Sequence, residues 1–296
     1  MNTKAKRVFL TFCLSISLIF STVVGSYAYT NILAFGDSLS DNGIYQGYPG
    51  GMPGNSNPND VYGFYRFSNG PVWVEYLAQN LGVPLFDMAY GGATTSMDNP
   101  YAYTKTGNAA YQTTTGLQWQ VATYSGTFNT ISDNTLITVW AGANDMFNAR
   151  NPLTAAQNIA LAVQNLITLG GDSFLIPNLT ISNPWVAAFD PALAAAVAGL
   201  RLANPGVDFY ELNMNAFVRT GIDNPTGNWI ANSCANTNNA PGCMNGVFLS
   251  WDGIHPTTEI HAQIAAYAAT NVPEPASIIF LISGLAGLVG IRRRMK

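Results

Sequence analysis

Between residues 29 and 271 short apolar runs alternate with longer amphipathic ones, and this alternation restricts the fold of the 296-residue chain more than any other feature. Residues 32–35, 136–140, 174–176 and 207–212 read as strands; 71–80, 154–169, 186–202 and 257–269 read as helices. The clearest helix is 154–169, where Ala156, Ile159, Ala160, Val163, Leu166 and Ile167 share one face. Strands with no polar side must be covered on both faces, so the pattern predicts an α/β fold with a parallel sheet. In such sheets sites form beyond the carboxyl ends of the strands, which singles out the residues just after each strand. No internal repeat and no long linker divides residues 29–271.

The charges are unevenly placed. Lys4, Lys6 and Arg7 open the chain and Arg292, Arg293, Arg294 and Lys296 close it, leaving Arg66, Lys105, Arg150, Arg201 and Arg219 between. Those five oppose fifteen acids in residues 29–271, a net charge of −10 that argues against a nucleic-acid partner.

Both ends read as addresses. The basic start, an apolar run over 8–24 and the small-x-small site Ser26-Tyr27-Ala28 predict a secretory signal peptide over 1–28, cleaved after Ala28. An uncleaved membrane anchor fits the same residues. At the other end Val272-Pro273-Glu274-Pro275 precedes an apolar stretch of sixteen residues, 276–291, and then Arg292-Arg293-Arg294-Met295-Lys296. Sixteen residues are near the lower limit for a bilayer span, and the basic end would stay cytoplasmic. The arrangement over 272–296 resembles the PEP-CTERM sorting signal of bacterial surface proteins. That resemblance implies a membrane sorting protease as partner, transient anchoring by the C-terminal helix, and release to the cell surface or an extracellular polysaccharide matrix. A permanent one-helix tail anchor is the alternative.

Cys13 lies in the signal peptide, so Cys234 and Cys243 are the cysteines of the mature chain and one disulfide is the only intramolecular pairing open to them. They sit in the Asn- and Gly-rich stretch 224–246, which with 46–60 forms two long loops able to shape a substrate mouth or to decorate the surface.

Two histidines are the only imidazole bases available. His261 lies inside the last helix and reads as a solvent or packing residue. His255 stands in Trp251-Asp252-Gly253-Ile254-His255-Pro256, a tight loop before that helix. A carboxylate such as Asp252 beside an imidazole selects its tautomer and stabilises the imidazolium, although a loop salt bridge uses the same two residues. After the first strand comes Gly36-Asp37-Ser38-Leu39-Ser40-Asp41. Ser38 there stands at the expected start of a helix whose amides surround its hydroxyl, and a helix N-cap is the other use of Ser38 or Ser40. The Gly-x-Ser-x-Gly elbow of the α/β-hydrolases is absent, because position 40 is Ser.

The Gly36–Asp41 block closely resembles the first block of the GDSL, or SGNH, hydrolases, and three more blocks follow in order. These are Ala89-Tyr90-Gly91-Gly92-Ala93-Thr94, Gly142-Ala143-Asn144-Asp145 and Asp252-Gly253-Ile254-His255. Phe67-Ser68-Asn69-Gly70-Pro71-Val72-Trp73 is similar to a segment of the larger, lipase-like members. The second block departs at Asp87, where the family usually has Asn. The resemblance spans residues 31 to about 269. It implies a three-layer α/β/α sandwich with a mostly parallel sheet of flavodoxin-like type, and a secreted serine esterase or lipase. Ser38 would be the nucleophile, His255 the base and Asp252 the acid that orients it. The oxyanion donors would be the amides of Ser38 and Gly92 and the side chain of Asn144. Asp37 and Asp145 would support the site, and no metal or organic cofactor is implied. The substrate would be a lipid or small acyl ester, or an acylated polysaccharide. An idle scaffold serving as a surface or matrix protein is the alternative.

Overall fold

The computed structural model describes residues 29–42, 66–100, 114–180, 183–220, 250 and 253–272. Tyr29–Pro273 forms one compact unit. The terminal addresses, both long loops, Cys234, Cys243 and Asp252 lie outside the described residues.

In chain order the described elements are β1 (Asn31–Gly36), α1 (Trp73–Leu81), β2 (Leu85–Asp87), α2 (Leu117–Thr127), β3 (Thr135–Trp140) and α3 (Ala143–Phe147). Then follow α4 (Pro152–Thr168), β4 (Ser173–Pro177), α5 (Pro184–Ala203), β5 (Asp208–Leu212), α6 (Met214–Thr220) and α7 (Thr258–Asn271). The five strands form one sheet in the order β2-β1-β3-β4-β5, and every pairing is parallel. The register of β1 on β3 runs without a slip from Asn31 opposite Thr135 to Gly36 opposite Trp140.

Side chains alternate across this sheet, as the period of two requires. Leu33, Phe35, Ile137, Val139, Phe174 and Ile176 face one layer, built from α2, α4 and α5. Ile32, Ala34, Leu136, Trp140 and Leu175 face the other, built from α1, α6 and α7. Both faces are therefore buried under helices, in three layers. Each fully buried Leu, Ile or Phe on these faces contributes roughly 1.5–3 kcal/mol of hydrophobic stabilisation. Helix α5 is long and apolar enough to cross a membrane by composition alone. Here it lays Val186, Phe189, Leu193, Val197 and Leu200 on the sheet.

Local signals fix the helix starts. Asn151 caps α4 by accepting from the amides of Leu153 and Thr154, at 2.9 and 3.1 Å. Asn183 caps α5 through the Val186 amide at 2.9 Å. The order 2-1-3-4-5 reverses direction between β1 and β3, so the carboxyl ends of those strands flank a crevice. Ser38 follows β1 and Asn144 follows β3.

Candidate active site

The site grows from three turns at the carboxyl edge of the sheet. The first follows β1. The helix expected to start at Ser38 is, among the described residues, a single hydrogen-bonded turn. The amides of Ser40 and Asp41 both donate to the Asp37 carbonyl at 3.0 Å, and Asp37 Oδ1 accepts from the Leu39 amide at 3.0 Å. An aspartate that bonds the amide two residues on offers the backbone a turn of its own. Gly36 has no room for a side chain, since a Cβ would stand 2.3 Å from the Trp140 carbonyl oxygen. Its backbone is held from the other side by Gln120 of α2. Gln120 Oε1 accepts from the Gly36 amide at 2.9 Å, and its Nε2 donates to the Gly36 carbonyl at 2.7 Å. Trp73 Nε1 donates to Ser40 Oγ at 3.0 Å and pins the turn to α1.

The second turn follows β2. Past the strand the chain keeps pairing with β1, Met88 N donating to Ala34 O at 2.7 Å and Tyr90 N to Gly36 O at 3.1 Å. This carries residues 89–94 alongside Ser38. Gly92 has φ +83, a left-handed conformation that favours glycine. Neither the Ser38 nor the Gly92 amide donates to another described residue. The third turn, after β3, opens with Gly142 at φ +121 and leads into α3, which carries Asn144 and Asp145. Asp145 clamps it to the second turn, taking the Thr95 amide and the Thr95 hydroxyl, each at 2.8 Å.

His255 arrives from before α7. Its Nε2 lies 2.7 Å from Ser38 Oγ. The loop around it is closed by Ser250, whose Oγ accepts from the Gly253 amide at 2.8 Å and donates to the His255 carbonyl at 3.0 Å. Gly253 has φ +93, a further left-handed position that glycine suits. The segment from Phe67 to Trp73 supports this loop. Ser68 Oγ donates to the Pro256 carbonyl at 3.0 Å, Asn69 Oδ1 takes the Thr258 amide at 2.8 Å, and Thr258 Oγ1 donates to the Pro71 carbonyl at 2.9 Å. The Phe67 ring lies 5.2 Å from the imidazole, centroid to centroid.

Asn144 reaches the same crevice, but its amide is engaged. Nδ2 donates to the Ala93 carbonyl at 2.9 Å and has a longer contact, 3.4 Å, to Asp37 Oδ2. The second amide hydrogen makes only that longer contact. Burial pushes the Asp37 carboxyl up to about 7, against the opposing pull of the Leu39 amide and the charge on His255. A carboxyl that is partly neutral near pH 7 adds less negative charge to the crevice than an ordinary aspartate does.

His261 is a packing residue. It is fully buried, and its Nδ1 accepts from the Trp73 amide at 3.2 Å, so the proton of the neutral ring sits on Nε2. Asp252, the expected acid, lies outside the described residues, as do Cys234 and Cys243. Among the described residues no three His, Cys, Asp or Glu side chains gather as metal ligands.

The sequence model of the family described as GDSL-like Lipase/Acylhydrolase matches residues 32–268. The chain belongs to that family. Among its relatives, phosphatidylcholine-sterol acyltransferase of Aeromonas hydrophila is 36% identical over 120 residues, which are 40% of this chain and 33% of that protein. Thermolabile hemolysin of Vibrio parahaemolyticus is 32% identical over 155 residues, 50% of this chain and 33% of that protein. The match thus spans about a third of the length of these curated relatives. Among solved structures, a lipolytic G-D-S-L family member from Veillonella parvula aligns over 81% of this chain and 97% of its own at 14% identity and TM-score 0.43.

Several residues of this GDSL-family site carry no sequence signal of their own. Gln120 sits in a helix with no clear apolar stripe, and the partnership of Ser250 with the His255 loop spans a turn that no motif marks. The Phe67–Trp73 segment is visible in the sequence, whereas its task of bracing the His255 loop is seen only in three dimensions.

Proposed function

We propose that the chain is an exported serine hydrolase of carboxylic esters. The observation that supports this most is the 2.7 Å contact between Ser38 Oγ and His255 Nε2 at the switch point of the sheet. With the imidazole proton on Nδ1, the Ser38 hydroxyl donates to Nε2 and its oxygen attacks the ester carbonyl carbon. The proton passes to His255, which returns it to the leaving alcohol; water then repeats the sequence on the acyl-serine. Asp252, three residues before His255, takes the Nδ1 proton in hydrogen bond and stabilises the imidazolium. The amides of Ser38 and Gly92 and the side chain of Asn144 bind the oxyanion, each donor supplying roughly 3–4 kcal/mol of transition-state stabilisation.

The export reading rests on the two termini: a signal peptide over 1–28 and a PEP-CTERM-like tail over 272–296 read by a sorting protease. An extracellular matrix destination makes acylated polysaccharide a substrate to set beside lipid and small acyl esters. The test is hydrolysis of p-nitrophenyl esters from acetate to palmitate by the full-length chain and by Ser38→Ala. Activity that vanishes in the variant supports the mechanism, and the preferred chain length separates an acetyl esterase from a lipase. Activity that survives in Ser38→Ala overturns the assignment, and a folded wild type inert on every ester points to an idle scaffold.

A further inference from the structure

The peptide unit that carries the Gly92 amide lies between two glycines, where the backbone is freest to rotate. The Ala93 amide donates to the Tyr90 carbonyl at 3.1 Å, so residues 90–93 form a β-turn with Gly91 and Gly92 at its centre. Gly92 has φ +83 and the φ of Gly91 is not positive, the pattern of a type II turn. Packing and conformation both demand these glycines: a Cβ on Gly91 would stand 2.0 Å from Phe67 Cε2, and few other residues adopt the φ of Gly92. With no Cβ on either side, the planar unit between them can rotate into the type I arrangement while the Ala93–Tyr90 bond stays closed. That rotation reverses the Gly91 carbonyl and the Gly92 N–H together. The 2.7 Å bond from the Gly91 amide to Asp41 Oδ2 holds the preceding unit, not this one.

The Gly91 carbonyl is bonded by Asn99. Asn99 Nδ2 donates to it at 2.8 Å and also to Thr115 Oγ1 at 2.8 Å, and the two residues are 1% and 2% exposed. Thr94 folds the intervening loop back, its amide and hydroxyl donating to the Asp98 carbonyl at 3.2 and 2.7 Å. Thr115 is tied in turn to the end of β1. Its carbonyl accepts at 3.1 Å from Gln120 Nε2, on the side chain that bonds both backbone groups of Gly36. We propose that Asn99 is a positioning residue for ester hydrolysis: by holding the Gly91 carbonyl it aims the Gly92 N–H at the oxyanion. This rests on the reading of the Gly92 amide as an oxyanion donor. A trans peptide points its C=O and N–H opposite ways, so fixing one fixes the other. The flipped turn presents a carbonyl oxygen where the donor belongs. A hydrogen bond to the carbonyl also polarises the unit and makes its N–H a better donor. The oxyanion forms only on the way to the transition state, so the effect falls on kcat and spares KM.

Asn99→Ala, which removes the donor, tests this. Turnover of p-nitrophenyl butyrate by the full-length chain in mild detergent is compared with the wild type, Ser38→Ala serving as blank. The peptide itself is read by NMR after labelling with 13C-carbonyl, 15N-glycine. Only Gly50-Gly51, Gly91-Gly92 and Gly170-Gly171 then give carbonyl-to-amide cross-peaks, because they are the Gly-Gly pairs of the chain. We expect kcat to fall at least fivefold with KM changed less than twofold, and the Gly91-Gly92 cross-peak to move or split. A kcat equal to the wild type with that cross-peak unmoved overturns the proposal alone. A cross-peak that moves with kcat unchanged shows that the Gly92 amide is no oxyanion donor, and overturns the site reading and the proposal together. A loss of kcat with the cross-peak unmoved also overturns the proposal. If the wild type is inert, the site reading has failed, and the cross-peak still decides whether Asn99 holds the peptide. Should Asn99→Ala not fold, Thr115→Val takes its place, since it deprives Asn99 Nδ2 of its second acceptor at nearly constant volume. The same loss of kcat and the same moved cross-peak support the proposal, and wild-type values of both overturn it.

Discussion

Burial of His261 should make the stability that this group contributes to the protein fall in acid, and the size of the effect follows from its surroundings. The ring is fully buried between α7 and the start of α1. Burial first, and the charge on His255 second, lower it from 6.5 to about 3. The folded state therefore binds fewer protons here than the unfolded chain. The stability this group contributes is complete above pH 6.5 and drains away as the pH falls toward 3. Between pH 6.5 and 4.5 that is two units of differential protonation, or about 3 kcal/mol at 1.36 kcal/mol per unit. The buried acids work the other way. Asp37, raised to about 7, and Asp190, raised to about 6, bind more protons when folded and so favour the folded state as pH falls. The wild-type curve mixes these terms, so the comparison is with His261→Asn, whose Oδ1 can still accept from Trp73 N. Urea unfolding of both proteins at pH 7 and pH 4.5 is the assay. The stability difference between them should shift by about 3 kcal/mol in favour of the variant on acidification. A difference that is the same at both pH values refutes the burial argument.

Three further outcomes follow from the packing. Gly91→Ala places a Cβ 2.0 Å from Cε2 of the Phe67 ring, which lies on His255. It should cost about 1–3 kcal/mol of stability and lower kcat; adding Phe67→Leu should recover both, as read by urea titration and ester turnover. Gln120→Leu removes the side-chain acceptor of the Gly36 amide, leaves the Gly36 carbonyl with the Tyr90 amide alone, and strands the Thr115 carbonyl, which accepts from Gln120 Nε2 at 3.1 Å. Unfolding in urea should then be easier by roughly 2–4 kcal/mol, whereas a variant as stable as the wild type contradicts the bonding described. Asp145→Ala removes both bonds to Thr95 and leaves the Asn144 turn tied to the Gly92 turn through the Asn144 Nδ2 bond to the Ala93 carbonyl alone. A fall in kcat of at least tenfold with KM nearly unchanged is expected, because binding the ester itself does not need the oxyanion donors.

The long, strongly patterned elements are legible in the sequence, since burial on one face dictates their period. Helix 154–169 and the strands at 32–35 and 136–140 match α4, β1 and β3 to within two residues at each end. What escapes is short or polar. β2 has three residues and sits at the sheet edge, and α3 has five, too few for a period to show. In α2 the buried Gln120 breaks the apolar stripe because it bonds backbone rather than filling the core. The sequence pattern puts Ser38 at a helix start, and it lies instead in a turn, because the Asp37 carboxyl and carbonyl collect the Leu39, Ser40 and Asp41 amides locally. Four blocks in order bring Ser38, Gly92, Asn144 and His255 into view without any contact being known. The bonds of Asp41 Oδ2 with the Gly91 amide and of Asp87 Oδ2 with the Asn42 amide lie beyond that reading, because these residues, 50 and 45 apart in sequence, meet only once β1 and β2 pair.

With Ser38 as nucleophile and His255 as its base, the serine should react with an electrophilic phosphorus and lose that reactivity without the imidazole. Treating the full-length chain with an alkyl fluorophosphonate and mapping the adduct by mass spectrometry tests this directly. One phosphonyl group is expected, on Ser38, formed at least a hundredfold more slowly in His255→Ala. A label on another residue, or one that forms on Ser38 at the same rate without His255, contradicts it.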